Sequence, residues 1–177
     1  ALGTISVLAV DKTGTLTRNR MQLSELYAER QSHRVADGDL PERFGELLRH
    51  AWRASPARSF DPMETAIEAY AERWLPAAAR AREPAAKGYE LAPDLMVMAQ
   101  AYRQPGAGGY EISAKGAPEA VLALCALGPE ALAEAQRRLG AMAARGLRVL
   151  AVAAAHWEGE DLPAAQGAFR YRLLGLL

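Results

Sequence analysis

Val97-Met98-Ala99-Gln100-Ala101-Tyr102 is followed by Pro105-Gly106-Ala107-Gly108-Gly109 and then by Tyr110-Glu111-Ile112-Ser113-Ala114-Lys115. The first and last runs read as strands, and the last alternates in the way a pleated strand requires. The proline- and glycine-rich pentapeptide between them reads as the turn of a hairpin. Gly116-Ala117-Pro118-Glu119 then carries the chain into a helix through Leu127, with Pro118 suited to a first turn where no N–H is needed. Working outward, Tyr89 to Ala92 reads as a further strand. Glu130 to Arg145 reads as a helix closed by Gly146 at its C′ position. Leu147 to Ala155 reads as a buried strand and Phe169 to Leu177 as one more. Paired strands between helices predict an α+β domain with a largely antiparallel sheet flanked by helices.

The upstream half follows the same logic. Gln22 to Arg30 reads as a strand, followed by a polar turn at Ala36-Asp37-Gly38-Asp39. Pro41 to Ala54 has helical spacing, with Phe44, Leu47, Leu48 and Ala51 along one face. Asp61-Pro62-Met63-Glu64 opens a second helix: Asp61 suits the N-cap, Pro62 the first turn, and Glu64 the reciprocal position of a capping box. Ile67, Tyr70, Ala71 and Trp74 continue its apolar stripe. Pro76 and Pro84 both interrupt the pattern, so its end stays open, and the alanine-rich stretch 77–86 is expected as a surface helix or loop.

Composition narrows the function classes. The chain has 177 residues, 50% of them hydrophobic, enough for one or two domains with a real core. Its 21 Lys and Arg balance 21 Asp and Glu, so no nucleic-acid partner is expected. No apolar run is long enough to span a bilayer, and no signal-peptide pattern opens the chain. Cys125 is the single cysteine, which excludes an internal disulfide or a thiolate metal cluster. His33, His50 and His156 lack metal-ligand spacing. Lysine is used only at Lys12, Lys87 and Lys115 in a chain otherwise reliant on arginine, which marks positions wanting a compact point charge. The apolar starts and stops at Ala1-Leu2-Gly3 and Leu173-Leu174-Gly175-Leu176-Leu177 lead us to expect a piece of a larger protein.

Chemistry concentrates where Ile5-Ser6-Val7-Leu8-Ala9-Val10 runs into Asp11-Lys12-Thr13-Gly14-Thr15-Leu16-Thr17. The apolar run predicts a buried strand at residues 4–10 with a carboxylate at its C-terminal tip, where ligands of open α/β sheets sit. The turn after it offers N–H groups and hydroxyls for a phosphate. A carboxylate so placed can attack phosphorus and carry an aspartyl-phosphate. Seven fixed residues with about twenty options each recur by chance on the order of once in a billion positions. The stretch resembles the phosphorylation signature of P-type cation-transporting ATPases.

A second motif, Lys115-Gly116-Ala117-Pro118-Glu119, lies about a hundred residues downstream, in the order and spacing of that family's nucleotide domain. A strand delivers Lys115, Gly116 permits close approach to the backbone, and a helix N-terminus follows, an arrangement suited to phosphates. Phe60-Asp61-Pro62-Met63-Glu64 is similar to the family segment whose glutamate approaches adenine, which implies that role for Glu64. Gly146-Leu147-Arg148 is similar to the segment whose arginine contacts the ATP phosphates, which implies that role for Arg148. Relatives stack adenine on a phenylalanine; aligning Met98 with the methionine of that segment puts Leu91 there and Pro93 in place of an arginine. The platform is then lost or supplied by Tyr89, and weak ATP binding is expected.

The resemblance further implies Asp11 as nucleophile, with Lys12, Thr13 and Thr15 completing the catalytic loop. Thr15 would hold phosphoryl oxygens, and Mg²⁺ would be bound by Asp11 and the Thr13 carbonyl. Phosphatases of the haloacid dehalogenase superfamily carry a second aspartate two residues after the nucleophile; here that position is Thr13, so a persistent phosphoenzyme is expected. The implied organisation is residues 1–18 from a phosphorylation domain, 19–170 as the nucleotide-binding domain, and 171–177 as a return strand, the two end pieces forming a short flanking strand pair. ATP and Mg²⁺ are the implied cofactors. The implied partners are the remaining phosphorylation, actuator and membrane domains of a pump whose cytoplasmic part this is, the piece itself being a soluble monomer. Two alternatives stay open: a soluble haloacid dehalogenase-class phosphatase or phosphotransferase, and a non-catalytic interaction domain that retains the motifs.

Overall fold

The computed structural model describes residues 20–81, 83–104, 106 and 108–177. The Asp11 loop and the strand expected at residues 4–10 lie outside them. Seven strands, β1 (Glu25–Ala28), β2 (Gln31–Arg34), β3 (Lys87–Tyr89), β4 (Val97–Arg103), β5 (Tyr110–Gly116), β6 (Ala151–Trp157) and β7 (Arg172–Leu176), form one sheet in the order β2-β1-β7-β6-β5-β4-β3. Every pairing is antiparallel. Helices α1 (Gly45–Arg53), α2 (Pro62–Trp74), α3 (Pro118–Leu124) and α4 (Pro129–Ala143) flank it. The protein is an α+β fold built on an antiparallel sheet. Residues 171–177 supply β7, a central strand held between β1 and β6.

Pleating sorts the sheet into two faces. Ala151, Ala153 and Ala155 of β6, with Ile112 and Ala114 of β5, pack beneath Val121 of α3, Cys125 just after it and Met142 of α4. Val152 and Ala154 of β6 join Leu26 and Leu174 on the opposite face, under Leu47, Leu48 and Ala51 of α1 and Ile67 and Tyr70 of α2. Each face thus buries its own apolar set, at about 25 cal/mol per Å² of apolar surface removed from water.

Local signals explain the helix ends. The Asp61 carboxylate accepts from the N–H groups of Met63 (2.8 Å) and Glu64 (3.4 Å), as an N-cap should. Helix α2 stops at Trp74, just before Leu75-Pro76, and the stretch after it forms a short 3₁₀ turn, Ala77–Arg80. After α4, Gly146 adopts φ +77° and its N–H bonds the Ala143 carbonyl at 2.8 Å.

Several boundaries differ from the sequence expectation, three of them for a visible physical reason. The strand expected over Gln22–Arg30 reverses at Glu29-Arg30, whose φ values of +50° and +63° build a two-residue hairpin into β2. That turn normally announces itself with Asn-Gly or Asp-Gly. The strand expected at Tyr89–Ala92 ends at Tyr89, because Ala92 and Leu95 pair with each other in a local turn. The strand expected from Leu147 begins at Ala151, although Leu150 exchanges both backbone hydrogen bonds with Leu177 (2.7 and 2.9 Å). Among the described residues no helix is long and apolar enough to cross a membrane.

Candidate functional site

Alternation along β5 puts Glu111, Ser113 and Lys115 on one face, opposite Ile112 and Ala114. That face meets α1 and α2. Lys115 is 2% exposed, and its ammonium donates to the Glu64 carboxylate and to the Ser55 hydroxyl. Glu64 and Ser55 are themselves buried. Glu64 arrives from the first turn of α2 and Ser55 from the end of α1, so three separate segments converge on one charge. The Glu64 side chain enters this pair instead of closing a capping box, and the Asp61 half of the cap stands alone. A buried carboxylate next to a buried ammonium satisfies the need of each charge for a counter-charge.

Lys115, expected as a phosphate contact, has its charge enclosed and paired in the free chain. Gly116 is closely packed in the free chain. A Cβ on Gly116 would sit 2.2 Å from the Met96 carbonyl oxygen and 2.7 Å from Val97 Cα, so the group that approaches this glycine is the neighbouring strand. The Ala117 N–H is bonded to the Met96 carbonyl at 2.9 Å, and Pro118 has no N–H. Helix α3, which follows, is 7 residues long.

Arg148 is exposed and lines a cavity of about 280 Å³. Met63 and Ile67 of α2, Leu150, and the segment Arg20 to Glu25 form its other walls. Arg148 and the residue preceding Glu64 thus face one space, whereas Lys115 is buried and does not line it. Leu91 sits in the loop after β3, 48% exposed, and does not line that cavity. Tyr89, the alternative aromatic platform, is buried edge-to-face against Phe169, and its hydroxyl donates to the Pro163 carbonyl. Its ring belongs to the core on the face opposite Lys115 and is closed to a ligand. Asp11, Lys12, Thr13 and Thr15 lie outside the described residues. Among the described residues no group of three or more His, Cys, Asp or Glu is arranged to hold a metal.

No protein-family model matches this chain, and no curated protein matches it.

The rest of the β5 stripe escaped the sequence reading. Arg49 binds both Glu111 oxygens (3.0 and 2.8 Å), and Arg53 lies 3.3 Å from the same carboxylate. His50 links α1 to Ser113 through Nδ1 at 2.8 Å, while its Nε2 lies 2.8 Å from an Arg49 nitrogen. A guanidinium only donates, so Nε2 accepts, and Nδ1 carries the proton that it gives to the Ser113 hydroxyl. Burial, reinforced by the Arg49 charge, pushes His50 down from 6.5 to about 4. Burial alone would raise Glu111, but the Arg49 hydrogen bond and the charges of Arg49 and Arg53 outweigh it and hold the carboxyl below its usual range. The available signal was the polar Glu-x-Ser-x-Lys alternation in a strand whose other residues are apolar.

A pH dependence follows from His50. Its native pKa lies below its unfolded one, so the stabilisation is complete above about pH 6.5 and is lost as pH falls through about 4. Glu46, Arg49 and Arg53 on α1 and Glu111 on β5 are its charged neighbours, and protonating the buried ring costs the fold up to about 3 kcal/mol as pH falls from 6.5 to 4. Urea unfolding at pH 7 and pH 4.5 checks this. His50→Gln is expected to weaken the decline relative to the parent chain, and parallel declines would contradict the assignment.

Proposed function

We propose that this chain is the nucleotide-binding part, with the phosphorylation-site strand attached, of a P-type cation-transporting ATPase. In the parent, an Asp11 carboxylate oxygen attacks the γ-phosphorus of ATP, ADP leaves, and the aspartyl-phosphate drives ion transport. Mg²⁺ would be held by Asp11 and the Thr13 carbonyl, where it neutralises charge on the transferring phosphoryl group. The parent would be an integral membrane protein with this piece on its cytoplasmic side.

The observation that carries the reading is the meeting of Glu64 and Lys115. These residues are 51 positions apart, each belongs to a segment resembling the family's nucleotide site, and they form one buried ion pair. Arg148, from a third such segment, shares a cavity with Met63, the neighbour of Glu64. Within this reading Arg148 is an exposed cation for phosphate, and Lys115 supplies a fixed, buried charge beside Glu64.

Amide NMR titration of the 177-residue chain with ATP tests the reading. We expect shifts at Met63, Glu64, Gly116 and Arg148, with a dissociation constant on the order of a millimolar, about −4 kcal/mol. Arg148→Ala is expected to weaken binding about tenfold, because it deletes a charge-assisted contact. Unchanged spectra at several millimolar ATP would end the proposal. A second reading, an interaction domain that keeps these motifs without binding nucleotide, is favoured by one feature: the Lys115 charge already has its partners inside the fold.

A further inference from the structure

A lysine carries four rotatable bonds and about 2 kcal/mol of rotamer entropy, so one carboxylate alone does not fix where its ammonium points. Ser55 supplies the second direction. The Lys115 ammonium only donates, so the Ser55 oxygen must accept from it. The hydroxyl proton is then directed to the Ala51 carbonyl at 3.3 Å. That carbonyl belongs to the last turn of α1, the negative end of the helix dipole, which favours a cation. The hydroxyl therefore joins the ammonium to the helix end.

Ser55 is itself held firmly. Its N–H bonds the Trp52 carbonyl at 3.1 Å. Two residues earlier, the Tyr102 hydroxyl donates to the Arg53 carbonyl at 2.7 Å, with the Arg53 guanidinium 3.9 Å from the centre of the Tyr102 ring. Further back, His50 on Ser113 and Arg49 on Glu111 fix the same helix to β5 at the two alternate positions before Lys115. Helix α1 and β5 are thus joined rung by rung, and the last rung is Ser55 on Lys115.

We propose that Ser55 is a positioning residue of the nucleotide site, whose hydroxyl orients the Lys115 ammonium against Glu64 before ligand arrives. The proposal rests on the nucleotide-binding reading for its functional consequence but not for the geometry it asserts. Its test is Ser55→Ala in the full 177-residue chain, with Ser55→Thr as the variant that restores a hydroxyl. An amine-acylating reagent followed by peptide mass mapping gives the labelling rate of Lys115, with Lys87 as the internal reference. Loss of a hydrogen bond to a charged group is expected to raise Lys115 labelling about tenfold and to move its pH profile to lower pH. The ATP dissociation constant is expected to rise about threefold to tenfold in the same variant. Ser55→Thr should bring both values back toward the parent.

Ser55→Cys, close in volume but a weak acceptor, gives the same comparison if the alanine variant does not fold. A folded Ser55→Ala or Ser55→Cys chain with parental Lys115 labelling and pH profile would overturn the proposal. A parent chain that binds no ATP would overturn the nucleotide reading instead, and the labelling ratio would still decide whether Ser55 orients Lys115.

Discussion

Glu64→Leu alone, or Lys115→Met alone, is expected to lower the unfolding free energy by about 3–5 kcal/mol, whereas the two together should cost far less than the sum. Lys115 is 2% exposed and Glu64 7% exposed, so either single change strands a polar or charged partner away from water. Removing both lets apolar side chains fill the same space without an orphan. Domains are stable by about 5–15 kcal/mol in total, so a single variant would approach the threshold of folding. Urea unfolding of the four chains, read as a double-mutant cycle, measures the coupling directly. Single variants that lose less than about 1 kcal/mol would mean that the pair is hydrated, as surface ion pairs are. The same arithmetic governs any binding experiment on Lys115. A weakened ATP signal in a Lys115 variant has to be corrected for its unfolded fraction before it speaks of a contact.

What the sequence revealed, and what it hid, divides by the range of the forces involved. Asp61-Pro62 announced the start of α2 because an N-cap is a local hydrogen bond, and the structure has that bond at 2.8 Å. The hairpin from Val97 to Lys115 was legible because alternation and a glycine-rich turn are also local. The partner of Lys115 was not legible. A strand–glycine–proline corner reads the same whether the lysine faces water or a carboxylate 51 residues away in sequence. Glu64 could equally close its own helix cap, and only packing of α2 over β5 decides that it does not. Ser55 and His50 act through the register of α1 on β5, which no local pattern encodes. The β1–β2 hairpin stayed hidden for a different reason: Glu29 and Arg30 take positive φ against their own preference, between Ala28 and Gln31, which pair with each other.

Gly116→Ala is expected to destabilise the fold by about 3 kcal/mol, and the state in which this is measured decides what the glycine is for. Glycine in a phosphate-binding corner makes room for ligand. Alanine there would leave the free protein almost as stable as before and would act on ATP affinity. Glycine at a strand crossing makes room for backbone. At Gly116 the nearest atoms to an added Cβ are the Met96 oxygen at 2.2 Å and Val97 Cα at 2.7 Å, both main chain. Neither can swing aside as a side chain could, so the Val97–Gly116 end of the β4–β5 ladder would have to open. Gly146→Ala is the control: with φ +77° and nothing within 4 Å of its added Cβ, it is expected to cost about 1–2 kcal/mol from backbone strain alone. Urea unfolding without nucleotide separates the cases. A Gly116→Ala chain as stable as the parent, yet unable to bind ATP, would return this position to the ligand. A large loss of stability in the free chain would make it the hinge of packing on which the neighbouring Lys115, one residue away, depends for its place against Glu64 and Ser55.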